Sequence, residues 1–268
     1  MKDKVVIITG ASSGIGEALA RKFSSQGSIV VIAARQLDKL TTIKLSLEAK
    51  GGKVHAVACD VSNEDHCKLL VEETIKVFGR IDVLINNAGI SMRAIFNELE
   101  IDVLRKVMDV NFWGAVYCTK YSFPHLLKSK GSIVGISSIA GKKGLPGRTG
   151  YSASKFALEG FLETIRTENL NNGLHVLVAC PGFTASNIRQ SALAKDGSQQ
   201  GESPRDENRL MSSEEVADHI YNSVVKRKRD LILTGQGKLT VWLNKFFPAM
   251  MDKMVYKHMA KEPDSPFS

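Results

Sequence analysis

The feature that most constrains this chain is a repeated order: a short β-branched run, a turn of small residues, then apolar residues at helical spacing. Val5-Val6-Ile7-Ile8-Thr9 shows no polar alternation, as expected of a parallel strand buried on both faces. It runs into Gly10-Ala11-Ser12-Ser13-Gly14-Ile15-Gly16, after which Ile15, Leu19 and Phe23 share one side of a helix. The order recurs with strand Ile29 to Ala34 and helix residues Leu37, Leu40, Ile43 and Leu47, and again with strand Val54 to Cys59 and helix residues Leu69, Leu70, Ile75 and Val77. Strands follow at Ile81 to Ile85, Ser132 to Ser137, His175 to Cys180 and Leu231 to Leu233. Strands alternating with helices at this spacing make βαβ units, whose right-handed crossovers give one parallel sheet with helices on both faces.

The first turn carries chemistry. A strand, a glycine-rich turn and a helix start, in that order, make a phosphate site: glycines let backbone approach a pyrophosphate, and the helix N-terminus offers free N–H groups and positive potential. The second strand ends at Ala34-Arg35, where a dinucleotide fold meets the adenosine ribose. A carboxylate there would bind ribose hydroxyls and repel a 2'-phosphate; a guanidinium favours the phosphate, so NADP(H) is expected over NAD(H). Asn86-Asn87-Ala88-Gly89 closes a later strand with the small residues a bound dinucleotide needs nearby. Tyr151 and Lys155 are four residues apart on one helix face, so each can alter the proton affinity of the other. Asn111 falls inside a long helical stretch ending near Lys128, where its amide competes with the backbone, so it caps, faces water or has a task.

Other classes are disfavoured. The net charge of +8 is scattered without the aromatic interleaving of a stacking surface, so no nucleic-acid partner is expected. Cys59, Cys67, Cys118 and Cys180 lack metal-ligand spacing and read as reduced, buried thiols; no metal is expected. No leader pattern or membrane-length apolar run is present in the 268 residues, which reads as cytoplasmic. The polar segment near 185–210 reads as a mobile substrate lid. Residues 238–268 form an apolar and basic tail, with Trp242, Phe246 and Met250 at helical spacing interrupted by Pro248. Three roles stay open for it: covering the substrate cleft or packing on the domain, subunit contact, or membrane-surface contact, the last weakened by the proline.

Taken together, Thr9-Gly10-x-x-x-Gly14-x-Gly16, Asp60, Asn86-Asn87-Ala88-Gly89, Asn111, Ser138, Tyr151-x-x-x-Lys155 and Pro181-Gly182 resemble the short-chain dehydrogenase/reductase family over roughly residues 4 to 235. The resemblance implies a Rossmann-type single domain over 1–237, with a doubly wound parallel sheet of about seven strands. It also implies an NAD(P)-dependent oxidoreductase acting on a CH–OH group, such as a carbonyl reductase. Tyr151 is then the general acid in reduction and base in oxidation, its pKa lowered by Lys155 and the nicotinamide. Ser138 donates to the carbonyl oxygen, Lys155 holds the nicotinamide ribose, and Asn111 fixes a water chain behind Lys155.

For the cofactor, the backbone of Ser12, Ser13, Gly14, Ile15 and Gly16 cradles the pyrophosphate, Asp60 and Val61 flank adenine, and Asn87, Ala88 and Gly89 approach adenosine and ribose. Thr184, after Pro181 and Gly182, offers a hydroxyl to the carboxamide. Many NADP-preferring relatives carry a basic residue where this chain has Ser13, so the preference rests on Arg35. The expected substrate is a largely apolar carbonyl or alcohol, in a cleft lined by Ile139, Ala140, Pro146 and Phe183 with Met92 and Arg93 nearby. A homodimer or homotetramer pairing through residues 100–128 and 151–170 is implied as well. The alternative is a catalytically silent NAD(P)H-binding regulator or scaffold, against which intact Ser138, Tyr151 and Lys155 argue.

Overall fold

The computed structural model of the chain describes residues 1–203, 210–263 and 265–267. One parallel sheet contains β1 (Val5–Thr9), β2 (Ile29–Ala34), β3 (Lys53–Ala58), β4 (Val83–Asn86), β5 (Ser132–Ile136), β6 (His175–Cys180) and β7 (Asp230–Ile232). The order β3-β2-β1-β4-β5-β6-β7 means that the chain winds outward from β1, returns, and winds the other way from β4. The expected seven-stranded, doubly wound Rossmann-type α/β sheet is what forms. The crevice at that reversal, above the ends of β1 and β4, is where such sheets bind ligands.

The unbroken apolar runs follow from burial on both faces. Val6 and Ile8 pack with Leu19 and Phe23 of α1 (Gly14–Ser25), Leu40 of α2 (Leu37–Glu48) and Ile220 of α7 (Ser213–Val225). Val5 and Ile7 enter the opposite core with Leu70 of α3 (Glu64–Phe78), Leu126 of α5 (Gly114–Ser129), and Leu158 and Leu162 of α6 (Thr149–Glu168). Each such fully buried side chain stabilises the fold by about 1.5–3 kcal/mol before ordering costs.

Beyond one-residue shifts at the ends of β3, β5 and β7, two elements differ from the sequence expectation. β4 begins at Val83 rather than Ile81, because Asp82 is held by charge: its carboxylate accepts from the Val5 N–H at 3.0 Å and from Arg80 Nε at 2.9 Å. The single long helix through Asn111 is α4 (Ile101–Met108) and α5 joined by a π turn at Asp109–Trp113.

The described part of the polar segment is tied down beside the cleft: Arg93 N–H donates to the Leu193 carbonyl at 2.8 Å, and Leu193 is buried with Met92 and Val103. Residues 204–209 of that expected lid lie outside the described residues. In the tail, Pro248 opens α9 (Pro248–Met259) directly after α8 (Gly235–Phe246), so the proline breaks the helix as its ring requires. The tail packs on the domain: Asn244 Nδ2 donates to the Lys142 carbonyl at 3.3 Å, Lys143 pairs with Asp252, and Met251 and Met259 are buried. Among the described residues no helix is long and apolar enough to cross a membrane.

Candidate active site

A continuous cavity of about 640 Å³ runs along the carboxyl ends of the strands, lined by the glycine turn at one end and by Ser138, Tyr151 and Lys155 at the other. At the turn, Gly10 has φ +64°, and a Cβ there would sit 2.7 Å from Ala88 Cα. A Cβ at Gly16 would overlap the Gly10 carbonyl and Asn87 Nδ2. These glycines therefore let β1, α1 and the Asn87–Gly89 strand end meet. Asn87 holds that contact by donating from Nδ2 to the Thr9 carbonyl at 2.9 Å. Ser13, the N-cap of α1, makes no side-chain cap bond, so first-turn N–H groups remain for an anion.

Gly10, Ser12, Ser13, Gly14, Ile15, Gly16, Arg35, Asp60, Val61, Asn87, Ala88, Gly89, Pro181, Gly182 and Thr184 all line the cavity. So does Lys39, in the first turns of α2, which places a second cation on the wall reached by Arg35. Burial opposes ionisation of Asp60, yet two hydrogen bonds from Ser62 and the Arg35 guanidinium outweigh it and hold the carboxyl below its usual range.

At the other end, the close approach of α6 to the sheet places the pair. A Cβ at Gly135 of β5 would overlap Leu162 Cδ1, so glycine lets the helix settle there. Lys155 then donates from Nζ to the Ile136 carbonyl at 2.9 Å. It is only 4% exposed, and burial pulls its ammonium down to about 8 against the opposing pull of Cys180 and Glu159. Burial pushes the Tyr151 phenol up, while a hydrogen bond with Ser138 and the guanidinium charges of Arg189 and Arg148 pull it back. The lowering expected from Lys155 together with a bound nicotinamide concerns the loaded enzyme; in the chain alone the phenol lies above its usual range. The ammonium sits 5.6 Å from the Tyr151 ring centroid and is itself half-discharged near pH 8, so within the chain burial of the phenol prevails.

Asn111, at 1% exposure, accepts from the Ile90 N–H at 2.8 Å and donates to the Ile90 carbonyl and to Ser154 Oγ, both at 2.9 Å. Ser154 Oγ in turn donates to the Tyr151 carbonyl at 2.7 Å. The amide thus clamps the loop after β4 onto the helix that carries Tyr151. Its Oδ1 and Lys155 Nζ flank Gly89, where a Cβ would lie 3.3 and 3.4 Å from them. Asn111 lies within the π turn, and its amide bonds outward to Ile90 and Ser154.

The structure therefore brings every expected site residue to one cavity or, for Asn111, to its supporting wall. The expected apolar cleft differs. Phe183 lines it, but Met92 and Ala140 are buried in packing, and Leu145, Arg148, Arg189 and Glu262 join the lining. Ser154, Lys39, Arg148, Arg189 and Glu262 are residues that sequence reasoning missed. Only Ser154, three residues after Tyr151, carried a spacing signal.

The family model of short chain dehydrogenases matches residues 4–197. "Dehydrogenase/reductase SDR family member 7B" of Mus musculus is 34% identical over 271 residues, covering 99% of this chain and 84% of the mouse protein. "11-beta-hydroxysteroid dehydrogenase-like 2" of Arabidopsis thaliana is 43% identical over 187 residues, covering 69% of this chain and 60% of that protein. Among solved structures, a short chain dehydrogenase/reductase from Burkholderia phymatum in complex with NAD superposes with TM-score 0.83 at 24% identity, covering 93% of this chain and 95% of the other. That last likeness concerns the fold.

Proposed function

This chain belongs to the short-chain dehydrogenases, and from that premise we propose an NADP(H)-dependent enzyme that interconverts a secondary alcohol and a ketone through Tyr151. Membership makes it an NAD(P)-binding oxidoreductase acting on a CH–OH group with a small-molecule substrate. The observation that carries the finer reading is the meeting of Ser138, Tyr151 and Lys155 on one wall of the cavity that also holds the glycine turn and Arg35.

The cradle fits a dinucleotide: Cβ-free approaches at Gly10 and Gly16, uncapped N–H groups at the start of α1, and no carboxylate at Ala34-Arg35-Gln36. Arg35 and Lys39 would hold a 2'-phosphate, and Thr184 would face the carboxamide. When bound, the nicotinamide supplies or accepts the hydride. In reduction Tyr151 gives its phenolic proton to the substrate oxygen, and Ser138 donates a hydrogen bond to the same oxygen, where negative charge develops. Lys155 holds the ribose and adds positive charge beside the developing anion. The phenol is in its acid form at neutral pH, as reduction requires; oxidation, which needs the phenolate, gains as pH rises.

Subunit pairing through α5 and α6 is part of the proposal, because Trp113 and Phe156 stand 44% and 48% exposed there. The functional test is a panel of ketones and secondary alcohols followed by NADPH absorbance. Stoichiometric NADPH binding without turnover on any member would instead identify a binding regulator.

A further inference from the structure

The substrate end of the cavity is closed by the far end of the chain. Met259, 2% exposed, and Glu262 line the same cavity as Tyr151 and Phe183. Glu262 lies between two guanidiniums from distant parts of the chain. Its Oε2 accepts from Arg148 Nη2 at 3.1 Å and is 3.7 Å from Arg93 Nη2, and all three side chains are about nine-tenths buried. Arg93 also donates to the Pro263 carbonyl at 2.6 Å. Beyond it, Pro266 and Phe267 lie against Gly147, whose φ of +67° turns the backbone before α6.

Two buried cations this close repel unless a carboxylate lies between them, and removing one partner of such a group leaves an uncompensated buried charge. Glu262 therefore supplies the charge that lets both guanidiniums stay buried where three segments meet. These are the loop after β4 at Arg93, the turn before α6 at Arg148, and the tail. A fourth joins through backbone, since the Arg93 N–H donates to Leu193 and the Ala94 N–H to Gly147.

We propose that Glu262 is a positioning and specificity-determining residue: it latches the C-terminal segment over the substrate end of the cavity and offsets the charge of Arg148 beside Tyr151. This rests on the reading of Tyr151 as the proton-handling group. The groups acting on its phenol are Ser138 from the turn after β5, Arg189 from the polar segment, Cys180 from β6 and Arg148 from the turn before α6. Lys155 lies beside its ring on the same helix, and Glu262 bears on the phenol through Arg148.

The test compares the full-length protein with Glu262→Gln, which keeps the shape and removes the charge, and with Arg93→Met. Trypsin cleavage after Lys261 is expected to quicken about tenfold in Arg93→Met, which leaves the residues around the scissile bond unaltered, the change that losing a charge-assisted hydrogen bond makes in a local opening equilibrium. KM for a bulky aryl ketone is expected to rise about tenfold more than KM for a small ketone, because it is the distal wall that is lost. In Glu262→Gln alone, the rising limb of alcohol oxidation moves to lower pH, since one negative charge beside Arg148 is gone and its guanidinium pulls the phenol down more strongly. A tail disrupted without any role in positioning would change cleavage and leave that limb in place. Unchanged cleavage, unchanged size discrimination or an unmoved limb overturns the proposal. A wild-type protein that turns over no ketone or alcohol refutes the enzymatic reading instead, and the cleavage arm still decides whether the latch exists.

Discussion

Lys155 donates from its ammonium to the carbonyl of Ile136, 2.9 Å away, and so ties the helix that carries Tyr151 to the last residue of β5. The contact depends on Gly135, since any side chain there would overlap Leu162 and lift α6 from the sheet. A charged group held this deeply leaves a signature in the stability of the whole protein.

Folded Lys155 loses its proton near pH 8, whereas an unfolded lysine keeps its own to about 10.4. Between those values the unfolded chain binds more protons, so stability rises with pH. Relative to Lys155→Met, wild-type protein is expected to gain up to ~3 kcal/mol between pH 7 and 10. Denaturant melts across that range check it; a difference that stays flat or falls would refute a desolvated ammonium.

Arg35 and Lys39 share one cavity wall at the end of β2. Arg35→Ala is expected to weaken NADPH about ten- to a hundredfold and NADH only slightly, as loss of one charged contact to a 2'-phosphate requires. Lys39→Ala follows the same pattern more weakly, because its ammonium is a point charge rather than a fork. Titration by cofactor fluorescence reads both; equal losses for the two cofactors exclude the phosphate contact.

Phe156 on α6 and Trp113 at the start of α5 are apolar surfaces that a lone chain leaves in water. The protein is expected to show a light-scattering mass at least twice its 29.3 kDa, and Phe156→Lys to return it toward one chain. A monomeric wild type would contradict pairing through this face.

How much of this was legible in the sequence follows from the range of each interaction. The strands and the phosphate turn were readable because burial on both faces and glycine spacing are local signals. Tyr151 and Lys155 were readable as a pair because helix geometry alone makes neighbours of residues four apart. The partners of the Asn111 amide were not, since Ile90 and Ser154 stand 21 and 43 residues away along the chain. Nor was the joining of Arg93, Arg148 and Glu262, whose charges become neighbours only once the tail folds back. The proton affinity of the phenol in the chain alone is beyond the reach of spacing for the same reason. Spacing brings a lysine close, but burial of the whole helix face decides which form of each group survives.

The most direct test of the account is NADPH consumption with the ketone panel by wild-type protein and Tyr151→Phe, alongside NADPH affinity for both. The account predicts turnover by the wild type that falls about a thousandfold or more in the variant, the scale of a lost general acid, with cofactor affinity unchanged within a few-fold. Comparable turnover by the two proteins would contradict it.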